Sequence, residues 1–136
     1  MEKALRDYIN AQRKEAEEFS KQPGCWMGKM VDPDDSEYWN ERVPSGTLAQ
    51  LKRIELEEDA YYMAADGMSK SYARSLDLAN MSDADLLQLC DAMATLIEAD
   101  AQEEQMREEA EQNHFDSLAT DLNVDRDTLD RWMENA

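Results

Sequence analysis

The sequence is poor in residues that interrupt regular structure. It contains only four glycines and three prolines in 136 residues. Sandwiches and barrels need turn residues about every 8–12 positions along the chain. This scarcity therefore argues against an all-β fold.

Residues that carry covalent or metal chemistry are also scarce. Cys25 and Cys90 are the two cysteines, and their wide separation leaves neither a disulfide framework nor a Cys-x-x-Cys motif. His114 is the single histidine, and with Glu111 it forms one Glu-x-x-His pair. Di-iron bundles need two such pairs and two further carboxylates. No glycine-rich phosphate loop is present. The sequence therefore predicts no enzyme, no catalytic residue, no metal site and no cofactor.

Long apolar runs are missing as well. No stretch approaches about 18 uninterrupted apolar residues, and residues 1–10 are charged rather than apolar. We expect no membrane span and no signal peptide. The expected compartment is the cytoplasm.

Positive charge is scarce and unevenly placed. The chain has 14 Lys and Arg against 32 Asp and Glu, a net charge of −18. Residues 1–43 carry −3, residues 44–81 carry −2 and residues 82–136 carry −13. Phosphate backbones and anionic lipids would repel such a chain. We interpret it as a single domain with a near-neutral helical scaffold, residues 1–81, and a strongly acidic helical part, residues 82–136.

Apolar residues recur at helical spacing through most of the chain. This pattern predicts a helix over residues 2–20 and a second that starts near Ser45 and Thr47, whose hydroxyls can cap it. Gly67 indicates either a kink or a break in the second helix. Ser82, followed three residues later by Asp85, predicts the start of a third helix that reaches about residue 113. Two short helices, residues 114–121 and 126–134, are expected to follow, which makes an all-α fold of about five helices.

The segment of residues 22–44 breaks the helical period and concentrates aromatic side chains. Trp26, Tyr38 and Trp39 lie in it, and Asp32 before Pro33 predicts the cap of a short helical turn. We predict an irregular, aromatic-rich loop whose side chains complete the core. Presentation of these side chains as interface anchors is the alternative.

Residues 118–132 resemble the two-helix core of a helix-turn-helix. Ala119 stands where a small residue lets the helices approach, and Asn123 takes the turn position. The resemblance implies a second helix that reads DNA bases through exposed side chains, which would be Arg126, Asp127, Thr128, Asp130 and Arg131. Residues 114–136 hold two basic and six acidic side chains, so we interpret the shape as one for packing or protein contact.

The acidic run of residues 98–111 is the other notable segment. It contains seven carboxylates and one arginine, Arg107. On a helix, Asp100, Glu104, Glu108 and Glu111 would lie about 4.5–6 Å apart along one face, a spacing that approaches that of phosphates along a nucleic-acid strand. A basic groove built for nucleic acid would attract such a face.

In size, acidity and helical character the chain resembles the DNA-mimic inhibitors that phages use against restriction and CRISPR nucleases. The stretch Tyr62-Met63-Ala64-Ala65-Asp66-Gly67, with Tyr72-Ala73 after it, is faintly similar to the anti-restriction member of that class. The resemblance implies an inhibitor that fills the nucleic-acid channel of a basic partner, such as a nuclease or a CRISPR or restriction complex.

We therefore expect a set of carboxylates to bind the partner: Asp100, Glu103, Glu104, Glu108, Glu111, Asp116, Asp121, Asp125, Asp127 and Asp130. No direct nucleic-acid or membrane contact is expected, and a homodimer is left open. A helix-turn-helix regulator or adaptor and a virion assembly or scaffolding component are the alternatives.

Overall fold

The fold is all-α, as predicted. A computed structural model describes residues 1–122 and 126–134, and no strand occurs among them. The helices in chain order are α1 (Lys3–Ser20), α2 (Ser36–Arg42), α3 (Leu48–Gly67), α4 (Lys70–Ser75), a short 3-10 helix (Leu78–Asn80), α5 (Asp83–Asp121) and α6 (Arg126–Glu134).

Side-chain caps begin the helices of the central part of the chain. The Thr47 hydroxyl accepts a hydrogen bond from the Gln50 amide at 3.2 Å, and the Ser82 hydroxyl accepts one from the Asp85 amide at 3.1 Å. Both caps satisfy N–H groups that the first helical turn leaves free. These two predicted helix starts are confirmed.

The cap predicted at Asp32 is wrong. The Asp35 carboxylate caps α2 by accepting from the Tyr38 amide at 3.2 Å. Asp32 instead closes the preceding turn, because its carboxylate accepts the Asp34 amide at 2.8 Å and its carbonyl accepts the Asp35 amide at 3.0 Å. The turn thus occupies residues 32–35, and the helix starts after it.

Gly67 marks a break between two helices rather than a kink. α3 ends there, and the Ser69 hydroxyl caps α4 by accepting from the Tyr72 amide at 3.0 Å. A β-carbon at Gly67 would lie only 3.2 Å from the β-carbon of Met93 in α5. The missing side chain therefore lets α3 and α5 approach closely at this point.

The core has two connected parts. Around α1 and α2, the buried side chains are Leu5, Ile9, Trp39, Val43 and Leu51. Between α3 and α5, the buried side chains are Ala60, Ala64, Leu86 and Met93. Helix α3 contributes to both parts, so it is the central element on which α1 and α5 pack.

Arg53 ties the 3-10 helix and the start of α5 to α3. Its guanidinium donates to Glu57 at 2.9 Å and to Asp83 at 2.5 Å, and also to the carbonyls of Leu78 at 3.1 Å and Met81 at 2.5 Å. The hydrogen bonds to Asp83 and Glu57 favour the charged form and raise the pKa of Arg53 above its usual value. Together the hydrogen bonds of Arg53 fix where α5 begins on the scaffold.

The aromatic segment is only partly as predicted. Trp39 is buried, and its indole N–H donates to the Asp32 carbonyl at 3.0 Å. Trp26, however, is 81% exposed, so the prediction that it fills the core is wrong. Tyr38 and Trp39 belong to α2, and Trp26 is the one aromatic side chain in the irregular stretch before it. That stretch is therefore not an aromatic-rich loop.

The acidic part contains one long helix where two were expected. α5 has 39 residues and continues through residues 114–121, so the predicted end near residue 113 is wrong. The sequence has no glycine or proline after Gly67, and nothing near residue 113 interrupts the helical hydrogen bonds. The short helix predicted over residues 126–134 is confirmed as α6. The turn residues 123–125 lie outside the described residues.

Candidate interaction surface

Helix α5 extends beyond the scaffold as a charged, solvent-surrounded segment. Its first part packs on α3 through Leu86 and Met93. Every residue from 98 to 111 is then exposed, and we call this segment the acidic stalk. At about 1.5 Å per residue, its 14 residues span about 21 Å.

The direction of α3 explains why α3 does not cover the stalk. Leu56 and Leu87 line one common groove, and further along both helices Gly67 lies against Met93. The two helices therefore run in the same direction, and α3 ends beside Met93. The rest of α5 continues past this end, exposed over residues 98–111, until it contacts α6.

Four carboxylates of the stalk share the face that α5 uses for packing. With 3.6 residues per turn, Asp100, Glu104, Glu108 and Glu111 lie in line with Leu86, Met93 and Ile97. Phe115 lies on the same line and is half-buried near α6. The face thus carries α3 at one end and α6 at the other, with carboxylates between them.

Helix α6 adds a fifth carboxylate to this face. Asp130 lines a shallow pocket of about 220 Å³ together with Glu108, Glu111, Gln112 and Phe115 of α5. We name the five carboxylates of Asp100, Glu104, Glu108, Glu111 and Asp130 the acidic notch. The sequence predicted all five as partner-binding residues, but only the packing of α6 brings Asp130 to the others.

The remaining predicted residues lie elsewhere. Glu103, Asp116 and Asp121 are exposed on other sides of α5, and the Asp116 carboxylate accepts from the Gln112 amide group at 3.1 Å. Asp127 is exposed in the first turn of α6. Asp125 lies outside the described residues. The predicted set therefore divides into one continuous notch and scattered charges around it.

Several basic residues of the scaffold form ion pairs within the scaffold or with the start of α5. Arg6 contacts Asp34 at 2.6 Å, Lys29 contacts Glu17 at 3.8 Å, and Arg42 holds Glu58 with two hydrogen bonds of 3.0 and 3.3 Å. On the stalk, Arg107 makes no ion pair within residues 1–122 and 126–134. Within the part of the chain that the structure describes, no ion pair involves a carboxylate of the notch, so the notch keeps its negative charge.

An apolar groove between α3 and α5 is a feature that the sequence analysis missed. It has a volume of about 360 Å³, and its lining is Leu56, Asp59, Tyr62, Met63, Asp66, Leu87 and Cys90. Tyr62 is 65% exposed and Leu87 is 54% exposed. Two adjacent pairs, Tyr61-Tyr62 and Leu86-Leu87, were the sequence signal for this groove. Neighbouring helical residues point in different directions, so only one residue of each pair can face the core.

The thiol in this groove is shielded from ionisation. Burial raises the pKa of Cys90 above its usual value, and the charges of Asp59 and Asp91 raise it further. Cys25, in contrast, lies in the loop after α1. The two cysteines therefore lie in different regions of the molecule.

The loop after α1 holds Trp26 outward. The Ser20 hydroxyl accepts from the Met27 amide at 2.9 Å and lies 3.2 Å from the Met27 carbonyl, to which it donates. This pair of hydrogen bonds closes the loop of residues 21–26. Gly24 adopts a φ of 75°, which glycine tolerates at little cost. Trp26 therefore fits the alternative of an interface anchor rather than a core residue.

Comparison of the chain with known proteins finds no match. The chain matches no protein-family model, no curated protein and no solved structure. Within the described residues, no group of three or more His, Cys, Asp or Glu could hold a metal ion. No helix among residues 1–122 and 126–134 is long and apolar enough to cross a membrane.

Proposed function

We propose that this protein is an inhibitor that imitates nucleic acid and places its acidic notch in the basic nucleic-acid channel of a partner. One observation carries the proposal: α5 presents four carboxylates on one face of a segment in which every residue is exposed. Their separation of about 4.5–6 Å along the helix axis provides a regular line of negative charge.

The rigidity of the stalk supports mimicry over non-specific acidity. A continuous helix holds its carboxylates at fixed spacing, so little conformational entropy is lost when a partner binds. Like charges at this spacing cost a few tenths of a kcal/mol per pair in a helix. A partner lined with lysine and arginine would relieve that repulsion, which favours the bound state.

The distribution of charge supports the same function. The acidic part has a net charge of −13, whereas residues 1–81 are nearly neutral. A one-sided field of this kind orients the molecule as it approaches a basic surface and accelerates association at low salt. The compositional resemblance to phage inhibitors suggests a restriction or CRISPR nuclease as the partner and the host cytoplasm as the compartment. In this proposal the protein has no catalytic activity of its own.

Charge reversal in the notch tests the proposal. The triple variant Glu104→Lys, Glu108→Lys and Glu111→Lys should lose capture of the partner from a host-cell lysate in 50 mM salt. The control is the triple variant Glu15→Lys, Glu18→Lys and Glu41→Lys, which makes the same change in net charge on exposed scaffold positions. Capture that survives reversal of the notch, or that is lost equally in the control, would contradict the proposal.

Packing of α6 on the end of α5 supports the helix-turn-helix regulator or adaptor as the second candidate. In that case the protein would shift DNA in a gel at low salt. Arg126→Ala and Arg131→Ala would abolish the shift, while the triple reversal in the notch would not. Absence of any shift would exclude the DNA-binding form of this candidate.

A further inference from the structure

The groove between α3 and α5 combines an apolar floor with an acidic rim. Tyr62 and Leu87 stand on its two sides, and both are more than half exposed. Among the residues that the structure describes, Asp59 and Asp66 are the charged residues that line it, and no lysine or arginine does. A segment that fills this groove must therefore offer apolar side chains to the floor and positive charge to the rim.

The dimensions of the groove fit a helix of a partner. A volume of about 360 Å³ has room for one or two large apolar side chains. Parallel helices leave an elongated furrow between them, and an amphipathic helix binds such a furrow through apolar residues at every third or fourth position. A second copy of this chain is disfavoured, because each copy carries a net charge of −18 and the rim is itself acidic.

The groove is continuous with the acidic stalk. Following α5 from Leu87 at helical spacing leads through Ala94 to Glu98 and Ala101, which are all exposed. Glu98 lies about 16 Å along the helix from Leu87. A basic helix of moderate length can therefore contact the groove and the beginning of the stalk at the same time.

We propose that this groove binds a basic amphipathic helix of the partner, which inserts an apolar side chain between Tyr62 and Leu87 and sets lysines or arginines against Asp59 and Asp66. That this helix belongs to the partner of the notch rests on the proposed function. The preference of the groove for a basic amphipathic helix does not rest on it.

Two synthetic peptides test the proposal. One is a fluorescent helix-forming peptide of about 18 residues made of leucine, lysine and alanine, with leucine at every third or fourth position. The other has glutamine in place of each leucine and the same charge. Fluorescence anisotropy in 150 mM salt should show the leucine peptide binding at least about tenfold more tightly, because only leucine gains by leaving water.

Substitutions assign the binding to the groove. Leu87→Ser and Tyr62→Ser should each remove most of the preference for leucine. Met106→Ser, at a 69% exposed position on the stalk, should leave it unchanged. The leucine peptide should also slow alkylation of Cys90 without slowing that of Cys25.

The outcomes separate this inference from the proposed function. Reversal of Glu104, Glu108 and Glu111 to lysine should weaken both peptides while the preference for leucine persists. Equal binding of the two peptides, or a preference that survives Leu87→Ser and Tyr62→Ser, would overturn the proposal that the groove binds a basic helix. The proposal for the notch would stand unchanged. Conversion of a dimer to a monomer by Leu87→Ser would also overturn the proposal for the groove, because the occupant would then be a second copy.

Discussion

At the residue scale, Gly67 controls how closely α3 and α5 approach. An added β-carbon would meet Met93 at 2.8 Å from its sulfur, 3.2 Å from its β-carbon and 3.4 Å from its α-carbon. The flexible sulfur can move, but the other two atoms move only with the helix. Overpacking of this kind costs about 1–3 kcal/mol, which outweighs the gain of up to about 1 kcal/mol in helix propensity.

We therefore predict that Gly67→Ala lowers the free energy of unfolding by about 1–2 kcal/mol in urea denaturation. Gly28→Ala is the control, because its β-carbon would meet only the Trp26 ring at an ordinary distance of 3.5 Å. In a Met93→Ala background most of the cost of Gly67→Ala should persist, because alanine keeps the β-carbon and α-carbon of residue 93, and a double-mutant cycle measures this. A stabilising effect of Gly67→Ala alone would show that the two helices do not meet here.

Tyr8 makes the free energy of unfolding depend on pH. Its hydroxyl donates to the Glu55 carboxylate at 2.8 Å. Burial raises the pKa of Tyr8 to about 12, with further contributions from Glu55 and from the charge of Asp59. The unfolded chain has a tyrosine pKa near 10. Between about pH 10 and 12 the unfolded state therefore loses its proton first, and the free energy of unfolding falls as pH rises.

The variant Tyr8→Phe should lose less stability than the wild type between pH 10 and 12, as measured by urea midpoints across that range. Below pH 9 the two proteins should show parallel pH profiles, because Tyr8 is protonated in both the folded and the unfolded state. Tyr62→Phe, at a 65% exposed position, is the control and should retain the wild-type fall. An unchanged profile in Tyr8→Phe would contradict the assignment.

At the scale of the element, helix α5 has two segments that are stabilised in different ways. Its first part is stabilised by α3, whereas the stalk depends on its own hydrogen bonds and on weak contacts such as Gln105 to Glu109 at 3.4 Å. Breaking the stalk should therefore leave the scaffold folded. A break in the stalk would thus change the shape of the acidic surface and keep its charge.

We predict that Gln105→Pro abolishes partner capture without changing the net charge, because proline costs about 3 kcal/mol inside a helix and disrupts the line of carboxylates. Circular dichroism should show a loss of helix confined to a few turns, and the thermal transition of the scaffold should stay in place. Gln105→Ala is the matched control and should bind like the wild type. Full binding by Gln105→Pro would mean that acidity alone, and not helical spacing, is recognised.

The elements also show which features were predictable from sequence. Thr47 and Ser82 were found because a cap is a local hydrogen bond, and the shared face of Asp100, Glu104, Glu108 and Glu111 follows from the helical period alone. The continuation of α5 past residue 113 was missed because a helix without a breaker has no local signal for where it ends.

Other features depend on contacts distant in sequence. The position of Asp130 beside Glu108 requires α6 to fold back on α5, and the groove at Leu87 requires α3 to run beside α5. The exposure of Trp26 depends on the two hydrogen bonds between Ser20 and Met27. Periodicity cannot show such packing, so the notch was predicted in part and the groove not at all.

At the scale of the whole molecule, ion pairs offset part of the charge of the scaffold but not that of the notch. Arg6, Arg42 and Arg53 neutralise carboxylates of the scaffold and of the start of α5, while the stalk extends away from them. Binding through the notch should therefore weaken steeply with salt, because exposed charges are screened within about 10 Å at 0.1 M. Folding should depend on salt far less, since the core is apolar.

Competition with nucleic acid tests the central claim most directly. The tagged protein is used to capture proteins from a nuclease-treated lysate of the host cell, and duplex DNA or single-stranded RNA is then added in increasing amounts. Nucleic acid and the acidic notch should compete for the same channel, so at least one of the two should release the captured partner. Retention of the partner at saturating DNA and RNA would contradict the claim that the notch occupies a nucleic-acid channel.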